Sequence, residues 1–346
     1  MSARSFARLE LSGDASERGY QHGEALKHSI AETVDYYREI FRLSEDSVKK
    51  HARYFSDLIA GFKADYFVEI EAIARAADIP TYWVVAINAR TEMLSLLKTE
   101  PQECTTLCLP EQQWLMQNWD WGKPLESLTH IIRIEQSNGT IIETVCEPGM
   151  LGKIGLNNHG LGVCLNILTI NRPLSGLPVH ILLRSVLDCE NTHQVRELVT
   201  RYGAGKASNL MVCDHRGDAF NIEFADERQF LFESAVTPLI HTNHYLGEQI
   251  NPPGELEFKS SYTRYHRASE ILDSMLTDDQ DPELIGRTLL SDTATNPLPI
   301  FRRYIPEATV GLLGTICTVL MDLKQRTLWV RKGSVAENPF QQYRAG

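Results

Sequence analysis

No stretch of this 346-residue chain approaches the ~20 consecutive apolar residues that a membrane-spanning helix requires, so no membrane role is expected. The N-terminal residues Met1 to Arg8 carry charge with no apolar segment behind them, and no secretory signal is expected there. Positive charge is in deficit. The 34 lysines and arginines stand against 45 aspartates and glutamates, a net charge of −11, and nothing forms the basic stripe of a nucleic-acid-binding surface. Internal repeats and low-complexity segments are missing as well. The seven cysteines (104, 108, 146, 164, 189, 213 and 317) are odd in number and lie mostly in apolar, strand-like runs. That pattern suits reduced core thiols in a cytoplasmic compartment better than a disulfide framework. What remains is the composition of an ordinary globular protein, 43% hydrophobic and 23% charged, with ample chain for a large core.

The first hundred residues carry helical patterning. Asp14-Ala15-Ser16-Glu17 has the spacing of a capping box, and Tyr20, Leu26, Ile30, Val34, Tyr37 and Phe41 continue at helical intervals, predicting one long helix to about residue 41. Further helices are expected over 46–62, 66–77 and, after Ile79-Pro80, 81–98. Residues 1–11 alternate weakly, as an edge strand would. Segment 99–103 is polar, contains Pro101 and reads as an exposed connector that tolerates a cut.

From Cys104 the period changes to that of strands, expected at 104–109, 113–119, 128–136, 139–146, 153–156 and 162–168. Ser137-Asn138-Gly139 and Asn157-Asn158-His159-Gly160 supply tight turns. Helices at 177–188 and 192–202 precede strands at 208–214, 218–224, 229–233 and 238–242. A helix-rich insertion at 259–290 and strands at 315–323 and 326–331 close the chain. This order implies an α+β fold, a four-layer αββα sandwich of two antiparallel sheets with helices outside. Residues 1–103 form a helical N-terminal segment and 104–346 the catalytic segment, the two making one unit.

A cysteine in apolar sequence is ordinarily a buried structural thiol. Cys104 differs in following a Pro-containing polar connector and preceding two hydroxyl residues, Thr105 and Thr106. If the Glu103–Cys104 bond breaks, Cys104 gains a free α-amine titrating near ~7.7–8.0, a built-in base for its own thiol. Asp120, between Trp119 and Trp121, is a carboxylate in an apolar strand and needs a partner. It either caps the turn before Gly122-Lys123-Pro124 or stands against the amine and thiol of Cys104. Asn243, at the end of the apolar strand before His241-Thr242-Asn243-His244, offers a neutral amide donor for an oxyanion. Asn166 is a second such donor or a ladder-capping asparagine. His241 and His244 point to opposite faces of a strand, which argues against a metal site. Arg302 and Arg303 are either a solvated pair or one arginine reaching in towards Asp120.

These pieces resemble the acyl-coenzyme A:6-aminopenicillanate acyltransferase family (peptidase C45), autoproteolytic cysteine enzymes of the N-terminal-nucleophile (Ntn) hydrolase superfamily. The resemblance is carried by Arg18-Gly19-Tyr20-Gln21-His22-Gly23, Cys104-Thr105-Thr106, Gln117-Asn118-Trp119-Asp120, Gly155-Leu156-Asn157 with Gly160-Leu161-Gly162, His241-Thr242-Asn243-His244-Tyr245 and Leu328-Trp329-Val330. It implies an αββα Ntn fold, self-cleavage before Cys104 and a Cys104 nucleophile. It also implies Asp120 near the freed amine, Asn243 and Asn166 at the oxyanion, and an arginine at Arg302. The chain departs from the family at Glu103, where the acyltransferase has glycine, and at Pro299 and Phe301, where serine and cysteine are usual. Gln117 replaces the arginine of the more distant choloylglycine branch.

The function expected is an autoproteolytic cysteine amidohydrolase or acyltransferase acting on a small N-acylated amine or thioester through a Cys104 acyl-enzyme. No cofactor or metal is expected, although a coenzyme A thioester could serve as substrate. The expected partners are the small acylated substrate, the cleaved N-terminal fragment and a second copy of the chain in a homo-oligomer. Two alternatives stand beside it: an unprocessed, non-catalytic scaffold or binding protein of the same fold, and a cysteine peptidase with a histidine base, for which His22, His130, His159 and His244 show no partnered arrangement.

Overall fold

The capping box read at Asp14 forms in the structure, a computed structural model that describes residues 4–97, 104–247, 259–275, 281–294 and 299–346. Asp14 Oδ1 accepts from the Glu17 N–H at 2.9 Å, and Glu17 Oε2 accepts from the Asp14 N–H at 2.8 Å. An edge strand β1 (Ala7–Gly13) leads through this cap into α1 (Ala15–Ala25), α2 (Lys27–Phe41), α3 (Glu45–Phe62), α4 (Ala64–Ala77), α5 (Thr81–Asn88) and α6 (Arg90–Ser95). The single helix expected to residue 41 is broken at Leu26 (φ −113°, ψ 20°), and the one expected from residue 81 is broken at Ala89 (φ −109°, ψ 23°). The first break lets α1 lie along α4 while α2 turns against α5 and α7 (Pro124–Leu128). The connector 99–103, Glu103 included, lies outside the described residues.

The close approach of α1 to α4 explains the glycines in Arg18-Gly19-Tyr20-Gln21-His22-Gly23. A Cβ on Gly19 would stand 2.4 Å from the Glu69 carbonyl oxygen, and one on Gly23 2.4 Å from that of Ile73. Backbone cannot step aside as a flexible side chain can. Gly19→Ala is therefore expected to destabilise the fold by ~1–3 kcal/mol, read as a lower urea midpoint with an unchanged slope. At the same contact Arg18 pairs with buried Glu69 at 2.6 Å.

Next come β2 (Cys104–Leu109), β3 (Trp114–Gly122), α7, β4 (His130–Gln136), β5 (Ile141–Cys146), β6 (Ile154–Asn157) and β7 (Leu161–Ile167). They are followed by α8 (Val179–Leu187), α9 (Thr192–Tyr202), β8 (Lys206–Asp214), β9 (Ala219–Asp226), β10 (Arg228–Ser234) and β11 (Leu239–His241). The chain ends with α10 (Lys259–Met275), α11 (Pro282–Leu289), β12 (Ile305–Glu307), β13 (Gly311–Asp322), β14 (Thr327–Lys332) and β15 (Phe340–Arg344).

The strands form two sheets, β1-β4-β5-β6-β7-β8-β9-β10 and β11-β2-β3-β13-β14-β15, with β12 paired to β13. One pairing corrects the all-antiparallel expectation: β1 runs parallel to β4, because the helical segment α1–α6 intervenes between β1 and the rest of the sheets. The short strands β12 and β15 go beyond the sequence expectation, and β3 runs three residues beyond the predicted 119, so Asp120 sits within the strand.

The alternation of side chains then fixes the layers. One face of β2 and β3, with Cys108, Leu115 and Trp119, joins the core between the sheets. The other, with Leu107, Leu109, Trp114 and Met116, packs on Ala268, Ile271, Leu272, Ile285 and Leu289 of α10 and α11. Helices α8 and α9 cover the far side of the eight-stranded sheet, which completes the αββα sandwich. Gln117 ties the sheets together by donating to the Leu165 carbonyl and accepting from the Leu165 N–H of β7. Among the described residues no helix is long and apolar enough to cross a membrane.

Candidate active site

Cys104 is the first residue of β2, paired across the ladder with Trp119 of β3, and its side chain is directed between the sheets. The strands expected at 104–109 and 113–119 are therefore antiparallel neighbours. Cys104 is 2% exposed. Burial pushes its thiol up to about 11, with the Asp120 charge adding to the rise, while the Asp120 backbone N–H, Lys153 and Arg264 act against it.

The backbone of Cys104 is held on both sides. Its N–H donates to Asn243 Oδ1 at 2.7 Å, and Asn243 Nδ2 donates to the Ile167 carbonyl at 2.9 Å. In this arrangement Asn243 accepts from the nitrogen of the cysteine and spends its donor on β7, in contrast to the free amide donor expected from sequence. The Cys104 carbonyl accepts from Asn166 Nδ2 at 3.3 Å, and Asn166 Nδ2 also reaches the His241 carbonyl at 3.4 Å. Asn166 Oδ1 in turn accepts from Thr106 Oγ1 and Asn209 Nδ2.

The shortest of these contacts comes from a residue the sequence did not single out. Arg264, fully buried on α10, donates through Nη1 to the Cys104 carbonyl at 2.6 Å and to Thr105 Oγ1 at 3.0 Å, and through Nη2 to Asn243 Oδ1 at 3.0 Å. The sequence did contain a signal. Arg264 occupies the stripe completed by Ala268, Ile271 and Leu272, and a charged residue on the buried face of a helix requires a partner.

Asp120 shares its face of β3 with Asn118 and pairs in register with Thr315 of β13. Arg302 is anchored at the same point: its N–H donates to Thr315 Oγ1, and its carbonyl accepts from the Thr315 N–H. Arg302 Nη2 and Arg264 Nε both donate to Ser260 Oγ at 3.3 Å, so the two arginines meet at one hydroxyl. Arg302 is buried and Arg303 exposed, which separates the pair left open by sequence.

The histidines have other employment. His22 accepts from the Gly149 N–H, and burial lowers its pKa to about 3. His130 bonds the Leu128 carbonyl, His159 meets Thr140, and His244 meets Ser261. His241 pairs with buried Glu223 at 2.8 Å.

A second polar cluster lies between the sheets behind Trp119 and Trp121. Glu147 bonds Lys153 at 2.9 Å, Arg90 at 3.1 Å and the Tyr37 hydroxyl. Lys153 Nζ lies 3.0 Å from the Trp119 ring centroid, and the Arg90 guanidinium 4.8 Å from that of Trp121. Burial alone would raise the Glu147 carboxyl, but Arg90 and Lys153 hold it below its ordinary range.

The family model described as acyl-coenzyme A:6-aminopenicillanic acid acyl-transferase matches residues 108–337, well over half of the chain, beginning just after Cys104. The acyl-coenzyme A:6-aminopenicillanic-acid-acyltransferase 40 kDa form of Emericella nidulans is 27% identical over 337 residues, covering 93% of this chain and 91% of that protein. Among solved structures, a mutant of the conjugated bile acid hydrolase from Clostridium perfringens matches with a TM-score of 0.48 and 14% identity, covering 70% of this chain and 92% of its own. Penicillin V acylase from Agrobacterium tumefaciens matches with a TM-score of 0.43 and 14% identity, covering 66% and 83%.

Proposed function

The chain belongs to the acyl-coenzyme A:6-aminopenicillanic acid acyl-transferase family, and from that premise we propose that it is an autoproteolytic N-terminal-nucleophile cysteine enzyme of the peptidase C45 type. In this reading the Cys104 sulfur first attacks the Glu103 carbonyl. The S–C bond forms, the C–N bond breaks, and the departing nitrogen takes a proton to become the α-amine. Water then hydrolyses the thioester, returning the thiol and leaving Glu103 as a carboxyl terminus. The freed amine becomes the base and acid for the same chemistry on a substrate.

The observation that carries this reading is the setting of Cys104. It begins a strand directly after the polar connector, with its nitrogen on Asn243 Oδ1 and its carbonyl clamped by Arg264 and Asn166. A merely structural thiol has no use for three polar side chains gripping its own backbone. Asp120 is assigned to balance the α-ammonium, and Arg302 to support Asp120 through Thr315. Asn243 and Asn166 are the amide donors assigned to the oxyanion. Asn166 costs less to redirect, since its contacts at 3.3 and 3.4 Å are longer than the 2.9 Å contact of Asn243. The substrate proposed is a small N-acylated amine or a thioester, coenzyme A thioesters included, handled without a cofactor. Water as acceptor gives hydrolysis, and an amine gives acyl transfer.

Intact mass spectrometry with N-terminal sequencing tests the proposal on the purified wild-type chain. The expected result is two fragments of 103 and 346 − 103 = 243 residues, the larger beginning at Cys104. A chain that remains whole after long incubation would speak for the non-catalytic scaffold.

A further inference from the structure

Self-cleavage poses a problem that turnover does not. While the Glu103–Cys104 bond is intact the cysteine nitrogen is an amide, and the built-in base does not yet exist. The thiol must nevertheless ionise inside the sandwich, where burial pushes it up to about 11. A compensating positive charge has to come from elsewhere. Lys153 supplies one, buried just before β6, with its Nζ 3.0 Å from the centroid of the Trp119 ring. Trp119 is the cross-strand neighbour of Cys104 on the same face of the sheet. Charge coupling between the two groups runs both ways, Lys153 lowering the thiol and Cys104 raising the lysine.

We propose that Lys153 is a positioning residue for self-cleavage, its buried ammonium, set over the Trp119 face beside Cys104, stabilising the thiolate form of that sulfur while the preceding peptide bond is whole. The inference rests on the reading of Cys104 as a self-cleaving nucleophile.

The surroundings make Lys153 the group that titrates with the thiol. Burial pulls its ammonium down to about 8, against the opposing pull of Glu147. Glu147 stays ionised and Arg90 of α6 charged. Tyr37 of α2, Cys146 of β5 and Cys317 of β13 are pushed upwards by burial and stay protonated, while His180 of α8 is driven well below its ordinary value and stays neutral. The cleavage-competent state is then thiolate with ammonium. Below pH 8 its population rises tenfold per pH unit as the thiol proton leaves to water. Above pH 8 the competent pair and the dominant thiol–amine pair carry the same number of protons, so the population levels off.

The test follows cleavage of freshly translated full-length chain by intact mass between pH 6 and 10. The wild-type rate is expected to climb and then bend near pH 8. Lys153→Arg keeps the cation but not its titration. Its rate should stay within about 3-fold of wild type at pH 7 and continue to rise past pH 8. Lys153→Met should be slower by about 10–100-fold at pH 7, the effect of losing an opposite charge near a titrating group, and should show no bend. Lys206, a second buried lysine at about 8, sits beside Glu92 and serves as the control, because a bend of its making would survive in Lys153→Arg. A bend that persists in Lys153→Arg overturns this inference alone, even if Lys153→Met fails to fold. A wild-type chain that never cuts overturns the reading of Cys104 and this inference with it.

Discussion

Cys104→Ala is expected to leave a single uncut chain of 346 residues and to abolish turnover, by about 10⁶-fold, the scale on which deletion of a covalent nucleophile acts. No other thiol is placed to substitute. Burial drives Cys146, Cys164 and Cys317 further above their ordinary values than Cys104, and each lies within a strand, away from the polar connector. Cys189, the one partly exposed cysteine, follows α8 and is pushed up to about 12, chiefly by burial. The substitution itself is small. It removes one sulfur while the backbone contacts to Asn243, Arg264 and Asn166 remain available, so the variant should fold with a melting temperature within a few degrees of wild type. The checks are intact mass for the cut and an assay across a panel of N-acyl amides and acyl thioesters for turnover. A Cys104→Ala chain that still cuts, or still turns over any substrate of the wild type, would remove Cys104 from the mechanism.

How much of this was legible beforehand depends on what each signal measures. Strand periodicity and turn residues report local geometry, and they placed β2 and the two glycine turns because local chemistry decides those features. The breaks at Leu26 and Ala89 were not legible, since apolar residues recur at helical spacing straight through both. What interrupts the helix there is the demand of a neighbour, α4 in the first case, and periodicity carries no record of neighbours. The parallel pairing of β1 with β4 was hidden for the same reason: partners 123 residues apart (130 − 7) leave no mark on either strand. Strands β12 and β15 are short and sit at or near a sheet edge, where alternation has too few residues to show.

The site divides along similar lines. Cys104 and Asp120 announced themselves because each is locally odd, a thiol after a polar connector and a carboxylate between tryptophans. Asn166 was legible as a polar interruption of an apolar strand, and Asn243 as an amide at the end of one. Their orientations were not, because which end of an amide faces Cys104 is decided by the Ile167 carbonyl and by Thr106 on other strands. Arg302 and Arg303 are adjacent and equivalent in sequence, and only the tertiary fold buries one and exposes the other. Lys153 and Glu147 carried no mark in the sequence, because the burial that makes them notable comes only with the β5–β6 connection.

Arg264→Met is expected to lower kcat/KM by about 100-fold, with a corresponding slowing of the cut, while the chain still folds. The guanidinium fork spans the Cys104 carbonyl, the Thr105 hydroxyl and Asn243 Oδ1, so it fixes where β2 begins relative to α10. Methionine fills much of the volume but leaves these acceptors without that donor. The stability cost is ~1–3 kcal/mol, and the Asn166 contact at 3.3 Å still holds the Cys104 carbonyl. A displacement of about 1 Å at the attacking atom suffices for the rate loss. Arg264→Lys separates charge from geometry. A lysine keeps the positive charge but cannot bridge a carbonyl and an amide oxygen with one planar fork, so it should recover little of the lost rate. Nearly full recovery would mean that Arg264 acts as a charge, lowering the thiol as its influence on Cys104 indicates. Wild-type rates in Arg264→Met, with only the melting temperature reduced, would reassign the residue to holding α10 against the sheet. The deciding measurement is therefore kcat and KM separately beside a thermal melt for each variant, because a loose nucleophile lowers kcat and a loose helix lowers the melt.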